Sequence, residues 1–195
     1  MRSPLAAFAW AVVAVAVLAF VVVPIAFYNR LVTLRNRCTE SWSNVDAELR
    51  RRYDLVPNLV ETVKGYAAHE RSALEAVTEA RARAVASRGR PSEQAADERP
   101  LVAALGRLLA VAEAYPDLKA SRNFLQLQEE LVNTEDRIQA SRRFYNGNVR
   151  DHRNATRQFP GFLFARLFRF GEIDFFEVEA VAAPAPPVVM EPGRR

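Results

Sequence analysis

Leu5 to Phe27 is a run of 23 residues without a charged side chain, LAAFAWAVVAVAVLAFVVVPIAF. As a helix it would be about 34 Å long, enough for a hydrocarbon core about 30 Å thick. A cleaved signal peptide is the competing reading, but its apolar core extends over only about 7–15 residues. Cleavage after Ala14-Val15-Ala16 would leave VLAFVVVPIAF on the mature chain, and Ala26 has Pro24 two residues before it, a poor cleavage context. The run therefore reads as an uncleaved transmembrane helix, with Pro24 tolerated near its end and Trp10 and Tyr28 as interfacial aromatics. The N-terminal flank offers Arg2, the C-terminal flank Arg30, Arg35 and Arg37. Positive residues collect in the cytoplasm, so the expectation is a single-pass cell-membrane protein with its N-terminus outside and its C-terminal part inside.

The rest of the 195 residues suffices for one ordinary domain. One cysteine, Cys38, excludes an internal disulfide framework. After Tyr28 the apolar residues follow helical spacing. Leu31, Leu34, Cys38, Trp42, Val45, Leu49 and Tyr53 form one stripe; Leu59, Val63, Tyr66, Ala73, Leu74, Val77 and Ala84 form another. Pro57 lies between them, marking either a turn or a kink. Arg88-Gly89-Arg90-Pro91-Ser92 is a stop and restart, with Ser92 as N-cap, although Pro100 suggests that the next helix begins in earnest only there. Its stripe is Leu101, Leu105, Leu108, Ala112 and Tyr115, broken at Pro116. The longest stripe runs Phe124, Leu127, Leu131, Thr134, Ile138, Ser141, Tyr145 and Val149.

Four amphipathic segments with short breaks predict an all-α, antiparallel helical bundle, four helices behind the transmembrane helix. The expected organisation is a short N-terminal tail (1–4), the transmembrane helix (5–27), the bundle (28–158), an aromatic amphipathic segment (159–180) and a disordered tail rich in Pro, Ala and Val (181–195). Within the fourth part, residues 172–178 (EIDFFEV) could be a short extended segment.

Several separated motifs, in order, resemble the LemA family: YNRLVTLRNRCTESWSNVDAELRRRYDLVPNLVETVKGYAAHE after the hydrophobic N-terminus, then LVNTEDRIQASRRFYNGNV, then QFPGFLFARLF. Arg52-Tyr53-Asp54-Leu55 and Pro57-Asn58-Leu59-Val60 carry the most recognisable motif. Arg143, Tyr145 and Asn146 match the family's Arg-x-x-Tyr-Asn pattern in part, the arginine three residues before the tyrosine being Arg142 here. The resemblance implies a single-pass membrane protein with a mostly helical domain, and no particular activity. The family's second Tyr-Asn pair is replaced here by His152-Arg153, so a polar network built from two such pairs is not expected. Gly147 beside the first pair costs a helix about 1 kcal/mol relative to alanine.

Motifs that carry chemistry are few. His69-Glu70 is followed at the needed position by Ala73, so there is no HExxH zinc motif, and no phosphate-binding glycine loop occurs. Glu129, Glu130, Glu135 and Asp136 lack the Glu-x-x-His partners of a di-metal bundle and read as solvated faces. Cys38, on an apolar stripe, reads as a buried inert thiol. Arg137, Arg142, Arg143, Arg150, Arg153 and Arg157 oppose only Asp151 between 137 and 157, but no nucleic-acid-binding motif accompanies them. No catalytic, cofactor-binding or metal residues are assigned, no cofactor is implied and no nucleic acid is expected.

The leading expectation is a membrane-anchored scaffold or protein-interaction module without catalysis, its partners the lipid bilayer and an unidentified protein, its oligomeric state open. The alternative is an enzyme or enzyme subunit with a polar bundle-core site around Tyr53, Asn58, Tyr145, Asn146 and His152. Residues 159–176 hold seven of the twelve phenylalanines. If Pro57 reverses the chain, four crossings return this segment to the bilayer, together with Arg88 and Arg90. Phe162, Phe164, Arg166, Phe168 and Arg169 are then candidate membrane contacts. If Pro57 is only a kink, three crossings place the segment at the far end. Burial of the rings as a cap on the core is the competing reading.

Overall fold

A computed structural model describes residues 4–177. Among them are six helices and no strand: α1 (Pro4–Tyr66), α2 (Arg71–Ala86), α3 (Pro91–Glu113), α4 (Pro116–Lys119), α5 (Arg122–Arg157) and α6 (Gly161–Leu167). The expected disordered tail at 181–195 and the first three residues lie outside the described residues.

The anchor and the first bundle helix are one element. α1 runs unbroken for 63 residues, through both Pro24 and Pro57. Pro57 has no N–H, so the carbonyl of Tyr53 loses its helical partner. Arg81 of α2 replaces it, its Nε donating to that carbonyl at 2.6 Å. The chain reverses later, at 67–70, where the Ala67 and Glu70 amides bond back to Val63 and Ala67. The expected reversal at Pro57 is thus corrected: the helix continues through this proline. The three crossings tied to the kink alternative are corrected too, because the chain turns about ten residues further on and makes four long crossings.

α3 likewise begins earlier than expected. Pro91 occupies its first turn, where a missing N–H costs nothing, and the Glu93 carboxylate accepts the Arg90 N–H at 3.2 Å. Pro100 lies inside this helix, and its N-cap is Arg90, not Ser92. Its hydroxyl donates instead to Asp174 at 3.1 Å.

α1 and α5 are antiparallel over their whole shared length. Asn148 bonds to the Arg37 carbonyl, Trp42 packs on Tyr145, Arg52 pairs with Glu135 and Asn123 bonds to Thr62. From the first of these contacts to the last, α1 advances 25 residues (37 to 62) and α5 falls back 25 (148 to 123). The heptad-like stripe of α1 buries Leu31, Cys38, Val45, Leu49, Val56, Leu59 and Val63; α5 answers with Phe124, Leu131, Thr134, Ile138, Tyr145 and Val149.

α2 and α3 form a shorter hairpin. At about 24 and 35 Å they cannot match the roughly 57 Å of α1 beyond Tyr28. The hairpin therefore covers only the distal half. Its inner turn stops at mid-height: Arg88 and Gly89 share a groove with Trp42, Tyr53 and Asp54. Arg88 and Arg90 do not reach the anchor end, contrary to the crossing count, because α2 is too short. The proximal half of the α1–α5 pair is closed by the C-terminal segment. Gly161 allows α6 to fold back against the end of α5, since a Cβ there would lie 2.0 Å from the Ala155 carbonyl oxygen. Arg169, at φ 57°, ends α6 in the left-handed conformation, and the Phe170 amide bonds back to Ala165, as in a Schellman cap.

Candidate functional site

Two polar places and one aromatic junction stand out, the polar ones because most polar groups in a bundle core are paired. The deepest is at mid-height. Arg52 follows Leu49 by three residues and precedes Val56 by four, so helical spacing puts it on the core face. It is only 2% exposed. Its Nη1 donates to both oxygens of Glu135 at 2.8 and 3.1 Å, and its Nη2 to Glu98. Glu98 is fully buried and also accepts from the Tyr53 hydroxyl and from Gln94 Nε2 at 2.8 Å. Gln94 further bonds to the Tyr53 oxygen and the Ala84 carbonyl at 3.0 and 3.1 Å. One cluster thus ties α1, α3, α5 and the end of α2.

Burial works against the Arg52 charge, but Glu135 and Glu98 outweigh it and hold the guanidinium protonated. Burial and the neighbouring Glu98 push the Tyr53 phenol well up, so it remains a donor. The groove beside this cluster, about 750 Å³, is lined by Arg50, Arg81 and Arg88. Arg50 is paired with Asp46 at 2.9 Å and Arg81 with the Tyr53 carbonyl.

The second place is a latch. Tyr145 donates its hydroxyl to the Asp174 carbonyl at 2.7 Å. Asn146 donates Nδ2 to the Phe176 carbonyl at 3.0 Å and accepts the Phe176 amide on Oδ1 at 2.9 Å. That reciprocal pair treats the chain as a neighbouring strand would, so residues 171–177 need no strand partner. Phe176 is fully buried and packs on Trp42. Burial pushes the Tyr145 phenol up as well.

The third place is where α1 leaves its charge-free run. Phe27 stacks on Phe164, with centroids 5.0 Å apart, and Tyr28 meets Phe168 and Phe170 edge-on at 5.0 and 5.9 Å. Phe159, Phe162, Leu163, Leu167 and Phe168 remain exposed, as do Arg166 and Arg169. Glu172 binds Arg157 at 2.6 Å and Arg153 at 3.6 Å. The Arg157 hydrogen bond and charge hold its carboxyl below the usual range.

The sequence-derived polar-core residues separate. Tyr53 belongs to the mid-height cluster and Tyr145 with Asn146 to the latch. Asn58 is exposed, its carbonyl accepting from the Thr62 hydroxyl at 2.7 Å; it faces away from the stripe of Leu59 and Val56. His152 is buried near Arg35, and burial followed by that charge lowers its pKa. From Arg35 to Asn58 is about 35 Å along α1, so the five residues of the enzyme alternative share no pocket. His69 is exposed in the α1–α2 turn, far from His152. Cys38 is buried, its thiol pushed up by burial and by Asp151. Glu135 is not a solvated carboxylate but a half-buried partner of Arg52. Among the described residues, no three His, Cys, Asp or Glu side chains gather where they could hold a metal ion.

The LemA family model matches residues 41–190, more than three-quarters of the chain. The chain belongs to the LemA family. It is also similar to magnetosome protein MamQ of Magnetospirillum gryphiswaldense, 25% identical over 191 residues that cover 85% of this chain and 70% of the relative. Magnetosome protein MamQ 2 of Paramagnetospirillum magneticum is 26% identical over 186 residues, 83% of this chain and 68% of the relative. The family's Arg-Tyr and Tyr-Asn motifs thus fall, in this member, on the mid-height cluster and on the latch. Arg52, Gln94, Glu98 and Arg81 were not singled out from the sequence as interacting residues. The spacing held the signal for three of them: Arg52 lies on the α1 stripe between Leu49 and Val56, and extending the α3 stripe backward from Leu101 reaches Glu98 and then Gln94.

Proposed function

We propose that this LemA-family protein is a single-pass, membrane-anchored helical scaffold, with its bundle in the cytoplasm, that presents its distal end to a protein partner and performs no catalysis. The observation that carries this reading is the continuity of α1. The helix that is long and apolar enough to cross a membrane is also the longest helix of the bundle. Its N-terminal apolar surface, including Phe8, Trp10, Leu18 and Phe20, is exposed, which water disfavours. A stiff helix shared by anchor and bundle sets the four-helix end about 57 Å from the last residues of the charge-free run. The mid-height carboxylate is saturated by Arg52, Tyr53 and Gln94, the arrangement of a helix lock.

Crosslinking in native membranes, followed by identification of what copurifies, tests the scaffold. Recovery of a defined protein partner that is lost when exposed distal residues are changed supports it. Turnover of a substrate by the purified full chain, lost in Tyr145→Phe or His152→Gln, overturns it. Sidedness is tested by a protease site placed at Gly89. Cleavage in inverted vesicles only supports the cytoplasmic placement; cleavage in right-side-out vesicles only reverses it.

A further inference from the structure

We propose that the outward face of α6 is a second membrane contact, lying in the interface of an anionic bilayer and seating the proximal end of the bundle on its surface. The proposal rests on the membrane-anchored reading and adds to it a lipid-binding surface. Three observations carry it. First, α6 has two faces. Gly161 and Ala165, four residues apart, are buried against the bundle, whereas Phe162, Leu163, Arg166 and Leu167 point away, Leu167 with 69% of its surface exposed. Phe159, 79% exposed, extends the same apolar surface. Apolar surface of this kind marks a contact with protein or lipid.

Second, the patch is continuous with the anchor. Phe27, the last residue of the charge-free run, stacks on Phe164, and Tyr28 packs on Phe168 and Phe170. α6 is therefore fixed at the level where α1 emerges from the hydrocarbon, which selects lipid over a soluble partner as the occupant. Third, the charges suit an anionic surface. Arg166 and Arg169 are exposed within the patch, and Arg30 and Arg37 line a cleft at the same end, where Asp151 offsets one of the two charges. The acidic Glu172 is engaged by Arg157 and Arg153. Arginine stems can lie along the apolar surface while their heads meet lipid phosphates, and interfacial helices of this composition bury their apolar face about 5–10 Å deep. The structure also divides the seven phenylalanines: Phe176 is core, Phe175 packs beside it under Arg153, Phe164 and Phe170 are packed on α1, Phe168 packs on Tyr28 but stays partly exposed, and Phe159 and Phe162 are exposed. Phe164 thus positions α6 and does not itself face lipid.

The test uses the full chain with Cys38→Ser, reconstituted in vesicles of phosphatidylcholine alone or mixed with phosphatidylglycerol, and carrying one spin label at Leu167→Cys, Leu163→Cys or, as an aqueous reference, Tyr66→Cys. In the mixed vesicles, labels at 163 and 167 should collide several-fold more with oxygen, relative to a water-soluble nickel chelate, than the label at 66. Arg166→Gln with Arg169→Gln should reduce that ratio in anionic vesicles and not in neutral ones. Two sites are labelled so that local disruption at one is recognised from the other. Labels at both sites as water-accessible as the one at 66, in a chain whose label at Leu18→Cys is lipid-immersed, would overturn the proposal while leaving the anchor intact. Dipolar broadening between labels at 167 on two chains would assign the patch to a second copy and equally overturn it. Failure to find a protein partner would count against the scaffold and not against this contact.

Discussion

The two halves of the bundle solve the same problem by different means. In the distal half, α1 and α5 gain two helical neighbours, and the four helices are tied at their inner edge by the Arg52–Glu98–Glu135 cluster. Among the described residues the proximal half has no second hairpin, and α2 and α3 are too short to reach it. There a non-helical segment takes the helices' place, latched by Asn146 and Tyr145 and plugged by Phe176. The distal half is held by helix packing around paired charges. The proximal half is held by a few side-chain bonds to an extended backbone, and it keeps apolar surface exposed at the end that adjoins the anchor. A long helix pair can thus outrun its neighbours if the chain returns along it.

The largest difference should come from removing the distal lock. Arg52→Met leaves Glu98 buried without its cation and should cost about 3–5 kcal/mol, a large part of a stability of about 5–15 kcal/mol. Urea unfolding of the full chain in detergent, followed by far-ultraviolet dichroism, measures it. Arg52→Met with Glu98→Leu should recover most of the loss, since the only charge then left without its partner is Glu135, which reaches solvent; no recovery would mean that the cluster is more than a paired charge.

Releasing the proximal latch should be milder and local. Asn146→Ala removes both bonds to Phe176 and should cost about 1–3 kcal/mol. Hydrogen exchange should quicken at residues 171–177 and in the facing turns of α1 and α5, while α3 remains protected. Equal loss of protection in α3 would dissolve the distinction between the halves.

Much of this was legible in the sequence and some was not. The anchor, the stripes of α1 and α5, and the break at Arg88–Pro91 follow from periodicity and turn chemistry. The continuity of α1 through Pro57 does not, because it depends on Arg81, 28 residues away in sequence, supplying a donor to Tyr53. Arg52 was hidden among 25 arginines (27 basic residues less two lysines), although its place on the stripe was readable. Of the latch, only Tyr145 lies on a periodic stripe; its bonds have no periodic signature, because side chains of α5 make them to the backbone of a segment with no regular structure. The aromatic segment divided between the two expectations, some rings packed and others exposed.

A pH difference comes next in size, and it is confined to the proximal half. Burial and Arg35 lower the His152 pKa in the folded chain, so the unfolded chain, with its ordinary value near about 6.5, binds the proton first. Stability from this group is unaffected well above that value and falls as pH drops through it. The melting temperature should therefore drop more between pH 8 and pH 5 in the wild type than in His152→Leu. Equal drops would show that His152 is not coupled to folding.

The smallest effect should be a gain. Gly147 lies within α5, and a Cβ added there meets nothing within 4 Å. Gly147→Ala should raise stability by about 0.5–1 kcal/mol, measured as a higher urea midpoint with an unchanged slope. A loss would reveal a neighbour at that face of the proximal half.

One helix carries the chain from the anchor to the distal end, and α6 is returned to the start of the bundle. A spin-label distance between Tyr66→Cys and Leu167→Cys, in the full chain with Cys38→Ser, tests it most directly. Tyr66 is 38 residues beyond Tyr28 on α1, and α6 packs at Tyr28, so the account gives a separation of about 57 Å. A reversal at Pro57 would bring residue 66 back to within 20 residues' rise of Tyr28 (29 out and 9 back), about 30 Å. That shorter distance would contradict the account.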